Sequence, residues 1–226
     1  MSLNNRASLP PEVLFSQGPI IPVLVIRHLE DAIPLATALI SSGISLLEVT
    51  LRTATALEAI RLLRLEFPDI IIGAGTVTSP AQLEQAIQAG AQFAISPGLT
   101  RELLQAGKDS TIPLIPGIAS ISELMEGLQF GFNHFKFFPA EVAGGIAMLK
   151  AISGPFPNVH FCPTGGINEH NFLDYLNLPN VSCVGGSWIV PDEATKTKNW
   201  EKIKMLSSAA ITQAISALGK FVLQKN

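Results

Sequence analysis

Residues 70–98 read IIIGAGTVTSPAQLEQAIQAGAQFAISPG. The stretch opens on a β-branched apolar run that ends in glycine and threonine, as a strand leading into a loop does. Ser79-Pro80 then supplies a helix N-cap and a first-turn proline. AQLEQAIQAG continues as a helix that Gly90 closes. At Phe93 a second β-type run begins, FAISPG, and it too ends in turn residues. Strand, helix and strand in this order make a parallel crossover unit.

The unit repeats in both directions. Further runs of the same kind are PVLVIR (22–27), SLLEVTLR (45–52), PLIPGI (113–118), HFKFFPA (134–140), HFCPTGG (160–166) and SCVGGSW (182–188). With the two above they number eight, and their starts lie about 23 residues apart. Helical patterns fill the gaps. Asp31–Ser42 ends at Gly43, and Thr55–Phe67 stops before Pro68. Ser120–Gln129 and Gly145–Ile152 repeat the idea. The arithmetic predicts a single (β/α)8 TIM barrel over residues 1–226, and near-continuously apolar strands fit burial on both faces. The competing fold, a doubly wound open sheet, would carry a glycine-rich fingerprint after its first strand, and PVLVIRH has none. Residues 1–18 are expected to form a short helix under the barrel. Lys196–Leu218 is expected to be a C-terminal helical extension, with Trp200, Ile203, Leu206, Ala210, Ala214 and Leu218 on one side.

Composition narrows the function. Of the 226 residues, 47% are hydrophobic and 15% charged, so extensive disorder is excluded. Fifteen Lys and Arg against 18 Asp and Glu give −3, which is no footprint for nucleic acid or an anionic membrane. Apolar stretches such as Ile70–Ile72 and Pro22–Ile26 are far shorter than the ~20 residues of a spanning helix. The N-terminus has no apolar core of the signal-peptide kind, so the expected location is cytoplasmic. The two cysteines, Cys162 and Cys183, rule out a disulfide scaffold and read as small buried hydrophobes.

In such a barrel, chemistry sits at the C-terminal ends of the strands. Lys136 lies between Phe135 and Phe137-Phe138 in the sixth run. Burial among phenylalanines disfavours the ammonium, and a neutral amine can form a Schiff base with a carbonyl. The bland alternative is a lysine snorkelling to water. Glu48 sits in LLEVT on the second run, where it is either a general acid/base or an ion-pair partner of Arg52. Strands 2 and 6 are diametrically opposite, and even strands share interior layers, so the two side chains can meet across the mouth. Gly165-Gly166 and Gly185-Gly186, the latter followed by Ser187, end the last two strands. There they suit a phosphate site of bare backbone N–H groups, or else tight turns. Arg52 and Thr76 could hold a carboxylate, or serve as a surface ion pair and a helix cap. Arg27 is a weaker anion candidate. The histidines (His28, His134, His160, His170) and the cysteines lack metal-ligand spacing, and His134 and His160 begin strands and read as structural.

These residues carry a resemblance. LLEVTLRT (46–53), GAGTV (73–77), AGAQFAISPG (89–98), IPLIPGI (112–118), FKFFPAE (135–141), FCPTGGI (161–167) and GGSW (185–188) resemble the family of 2-dehydro-3-deoxy-phosphogluconate (KDPG) aldolase and 4-hydroxy-2-oxoglutarate (KHG) aldolase. The resemblance implies a Schiff-base role for Lys136 and an acid/base role for Glu48. It implies a pyruvate-carboxylate pocket at Arg52 and Thr76, lined by Pro97 and Phe138. Thr164, Gly165, Gly166, Gly185, Gly186 and Ser187 fall at the phosphate end. It further implies a small phosphorylated 2-keto-3-deoxy sugar acid as substrate, the Entner–Doudoroff pathway as setting, no cofactor or metal, and a homotrimer. Preference for KHG, or both activities together, is the nearest alternative. A barrel isomerase or epimerase using Glu48 without covalent catalysis is more distant, and a phosphosugar-binding module without activity more distant still.

Overall fold

The computed structural model describes residues 9–219. A short helix α1 (Pro11–Phe15) precedes β1 (Ile20–Leu24). A 3₁₀ turn (Leu29–Asp31) leads into α2 (Ala32–Ile40), followed by β2 (Leu46–Thr50), α3 (Ala56–Glu66), β3 (Ile71–Gly75) and α4 (Pro80–Gln88). Next come β4 (Ala94–Ile95), α5 (Arg101–Lys108), β5 (Leu114–Ile115), β6 (Gly117–Ile118) and α6 (Ile121–Gln129). The chain continues through β7 (His134–Phe137), α7 (Gly145–Ser153), β8 (His160–Pro163), α8 (Phe172–Leu176), β9 (Val184–Gly186), α9 (Asp192–Lys196) and α10 (Trp200–Leu218).

The strand pairs are parallel, in the orders β5-β4-β3-β2-β1-β9 and β6-β7-β8. Only Pro116, which has no N–H for the ladder, separates β5 from β6. Bridges at Phe161–Val181 and Thr164–Gly185 join β8 to the segment of β9. The result is a barrel-like α/β fold. Alternation along the strands sorts the core into two layers. Leu47, Val49, Phe135 and Phe137 pack with helix residues such as Leu35, Leu39 and Leu149. Ile21, Leu46, Ile95, Ile115, Cys162 and Cys183 form a separate inner cluster, into which α1 inserts Leu14 and Phe15. Phe15 meets the ring of His134, the first residue of β7, at 5.0 Å, so α1 sits at the N-terminal end of the strands.

Helix starts follow their capping residues. Ser79 accepts from Gln82 N, and Ser120 forms a reciprocal capping box with Glu123. Gly43 and Gly90 take left-handed φ of 90° and 88°, which ends α2 and α4. The observed bounds differ from the expected ones where the ladder fails. β1 starts at Ile20, and β4 spans two residues before Ser96-Pro97. The expected Lys196–Leu218 helix is two helices. Asn199 accepts from Lys202 N and starts α10 afresh, and Lys198 turns left-handed (φ 53°) between them. The buried face of α10 is Ile203, Ser207, Ala210, Ile211 and Ala214, while Leu206 is only half-buried. Helices α5 and α8 are additions to the sequence reading. Residues 1–8 of the expected N-terminal helix lie outside the described residues. Among those described, no helix is long and apolar enough to cross a membrane.

Candidate active site

Alternation decides where the polar strand residues go. On β7, Phe135 and Phe137 face the helices, so Lys136 faces inward. On β2, Leu47 and Val49 face the helices and Glu48 faces inward. Lys136 is 6% and Glu48 1% exposed. Their side chains meet across the interior, where Lys136 Nζ donates to Glu48 Oε1 at 3.2 Å. A lysine snorkelling to water is therefore not what forms. Nor is the Glu48–Arg52 pair, because Glu48 turns to Lys136 and Arg52 lies exposed. Amine and carboxylate in direct contact can exchange a proton without solvent.

Two glycines of β3 enable this arrangement, and nothing in the sequence alone marks them for it. A side chain at Gly75 would collide with the Glu48 carboxylate, and one at Gly73 with the Phe93 ring. The Gly-Ala-Gly of β3 thus makes room for the inner-layer side chains of its neighbours. In the sequence the same motif reads only as part of the family resemblance.

Phe138 follows β7, half-buried, with its ring centroid 5.6 Å from Lys136 Nζ. The ring also abuts the turn after β8, since a Cβ at Gly165 would stand 3.2 Å from it. Phe138 therefore connects the Lys136–Glu48 pair to the glycine turns. Thr164 is 6% exposed and opposes Gly185, where any side chain would collide with its hydroxyl. The two glycine pairs have different reasons. Gly165 and Gly166 adopt φ of 96° and 83°, a turn only glycine enters easily, whereas Gly185 and Gly186 are excluded from carrying side chains by packing on Thr164 and Ile20. Ser187 is exposed beside them.

Arg52, Thr76 and Pro97 follow β2, β3 and β4 on the same rim. Thr76 is non-glycine at φ 58°, a strained backbone of the kind found at functional positions. Helix capping belongs instead to Ser79, with Thr78 donating to Gln82 Oε1. Pro97 is held by its neighbours, as Ser96 Oγ accepts from Gly117 N at 3.2 Å. Arg27 forms a bidentate pair with Asp192 (3.1 and 3.2 Å). The Arg27 hydrogen bonds, with the charges of Arg27, Lys196 and Arg52, hold the Asp192 carboxyl below its usual range.

His134 and His160 stack at 5.0 Å at the opposite, N-terminal end, above a cavity of about 450 Å³ that they share with Glu12, Phe15, Ser16, Asn133 and Ser182. Burial, reinforced by His160, pushes the His134 imidazole down to about 4. Cys162 and Cys183 are free and buried, and burial followed by contact with Cys162 raises the Cys183 thiol. Among the described residues, no group of three or more His, Cys, Asp or Glu gathers as metal ligands.

Residues 12–206 match the family model described as KDPG and KHG aldolase. The chain is 58% identical over 201 residues to a protein of Pseudoalteromonas atlantica named 2-dehydro-3-deoxy-phosphogluconate aldolase, covering 89% of this chain and 94% of that one. It is 52% identical to the KHG/KDPG aldolase of Escherichia coli strain K12, covering 90% and 95%. A crystal structure of KDPG aldolase from Legionella pneumophila, with pyruvate captured at low pH as a covalent carbinolamine intermediate, superposes with a TM-score of 0.89 at 63% identity. The superposition covers 90% of this chain and 98% of that one. An inward lysine against an inward carboxylate, on a fold and sequence shared this closely, leaves one assignment: the chain belongs to the KDPG and KHG aldolase family.

Proposed function

We propose that this chain is a class I aldolase that cleaves 2-dehydro-3-deoxy-6-phosphogluconate to pyruvate and glyceraldehyde 3-phosphate. The observation that carries the reading is the buried 3.2 Å contact between Lys136 Nζ and Glu48 Oε1. Lys136 first passes a proton to Glu48, which frees the nitrogen lone pair. That lone pair adds to the keto carbon, the N–H proton moves to the former carbonyl oxygen, and a carbinolamine results. Protonated Glu48 gives its proton to the carbinolamine hydroxyl, water leaves, and an iminium remains. Glu48, now a carboxylate, takes the proton of the carbon-4 hydroxyl. The electron pair of the bond between carbons 3 and 4 flows to the iminium nitrogen, and glyceraldehyde 3-phosphate departs. Glu48 returns the proton to carbon 3 of the enamine, and water hydrolyses the new iminium to pyruvate and the Lys136 ammonium, restoring the starting pair.

Arg52 and Thr76 hold the pyruvate carboxylate in this reading, with Pro97 and Phe138 as walls. Thr164, Gly165, Gly166, Gly185, Gly186 and Ser187 take the phosphate, supported by the contact of the two glycine turns at Thr164 and Gly185. The E. coli relative named for both substrates supports activity on 4-hydroxy-2-oxoglutarate as well. The strand pairings support a complete (β/α)8 ring over one domain. In it β5 and β6 are one strand interrupted by Pro116, and the two bridges close β8 on β9. Family membership supports a cytoplasmic homotrimer, for which the particle mass in solution is the check.

Pyruvate release from KDPG tests the mechanism. Lys136→Ala should abolish it, and Glu48→Gln should slow it by roughly 10²–10⁴, the usual size of a general acid/base contribution. An unchanged rate in Glu48→Gln would remove Glu48 from the proton path.

A further inference from the structure

A second carboxylate stands beside the site, and the reaction gives it no role. Glu141 lies in the loop after β7, and its N–H donates to Gly165 O at 3.1 Å, while Ala140 N donates to Thr164 O at 2.8 Å. A side chain at Gly166 would collide with Glu141 Cβ and Cγ. Glu141 thus lies against the turn read above as the phosphate end, where a free carboxylate would repel a phosphate dianion.

Its partner is Tyr175 of α8, whose hydroxyl donates a hydrogen bond to Glu141 Oε1. Tyr175 is fully buried, so it is the fixed member, whereas Glu141 is exposed. The two meet over Gly145, held at φ 55°, where a Cβ would stand 3.0 Å from the phenol oxygen and 3.4 Å from Glu141 Oε1. Burial, then the bond to Glu141 and its charge, push the phenol well above its usual range, so it remains a donor.

We propose that Tyr175 is a positioning residue for phosphorylated substrates: by anchoring Glu141 it keeps that carboxylate out of the anion's place at Gly165-Gly166. The proposal rests on the reading of Thr164–Ser187 as the phosphate end.

The test compares kcat/KM for KDPG and for its dephosphorylated counterpart in four proteins: the unaltered chain, Tyr175→Phe, Glu141→Gln and the double variant. The unaltered enzyme should favour the phosphorylated substrate. Tyr175→Phe should lower kcat/KM for that substrate about three- to fivefold through KM, the upper size of one solvent-screened charge contact. The dephosphorylated substrate should change less than about twofold. Adding Glu141→Gln should restore the phosphate preference, because the freed group no longer carries charge. Glu141→Gln alone, at an exposed position, should keep that preference whether or not the phenylalanine variant folds. Equal losses on both substrates, failure of the second substitution to rescue, or loss of preference in Glu141→Gln alone would overturn the proposal and leave the phosphate site standing. An unaltered enzyme indifferent to the phosphate would overturn both.

Discussion

Glu48 owes its place to an atom its neighbour lacks. Gly75 lies beside it on β3, and a Cβ there would occupy the space of the carboxylate. Gly75→Ala should therefore push Glu48 away from Lys136 while leaving both reacting groups in the chain. Overpacking of this kind costs about 1–3 kcal/mol of stability, small beside the catalytic loss. The kcat for KDPG cleavage should fall to within about tenfold of the Glu48→Gln value, with KM little changed. A Gly75→Ala enzyme of full activity would mean that Glu48 works equally well from elsewhere. At this scale the sequence was informative about polarity and parity. Lys136 between Phe135 and Phe137, and Glu48 between Leu47 and Val49, could only face inward if their neighbours faced the helices. It was silent about Gly75, Glu141 and Tyr175, because their roles are steric or relational and become visible only when distant strands and loops touch.

Strand ends divide the labour among the elements. The residues proposed for the site lie on or just after the C-terminal ends of β2, β3, β4, β7, β8 and β9, while at the N-terminal ends of β7 and β8 two stacked histidines meet Phe15 of α1. This second end has a pH signature. His134 titrates near 4 in the folded chain against an ordinary 6.5, for reasons of burial and the neighbouring His160, with Glu12 opposing. The unfolded chain therefore binds more protons than the folded one between these values. Its contribution to stability is lost as pH falls from 6.5 towards 4 and changes no further below that. Guanidinium unfolding at pH 7, 6, 5 and 4 should show a shallower decline in His134→Gln than in the unaltered chain. Parallel declines would show that His134 takes its proton equally well when folded. Element bounds were harder to read than element type. Pro116 breaks a strand that its apolar flanks make continuous, and Asn199 restarts a helix whose apolar stripe runs on regardless. In both places a backbone donor or cap, rather than hydrophobic period, decides the ending.

For the whole molecule, the second and sixth apolar runs form β2 and β7, and Lys136 of β7 meets Glu48 of β2 from 88 residues away, as expected of two inward side chains. Inward parity on the two strands, enforced by burial of their neighbours against the helices, is enough for that contact. The loops at this end bring together two glycine turns, a left-handed Thr76 and a tyrosine-held carboxylate from five separate segments, and their proposed role is substrate choice. In the proposed function this architecture makes Lys136 a carbonyl-attacking amine. Borohydride reduction in the presence of pyruvate, followed by intact mass and peptide mapping, examines it most directly. One reduced pyruvyl adduct is expected, on the peptide containing Lys136, and none in Lys136→Ala. A folded enzyme that binds pyruvate and acquires no adduct, or acquires it on another lysine, would contradict it.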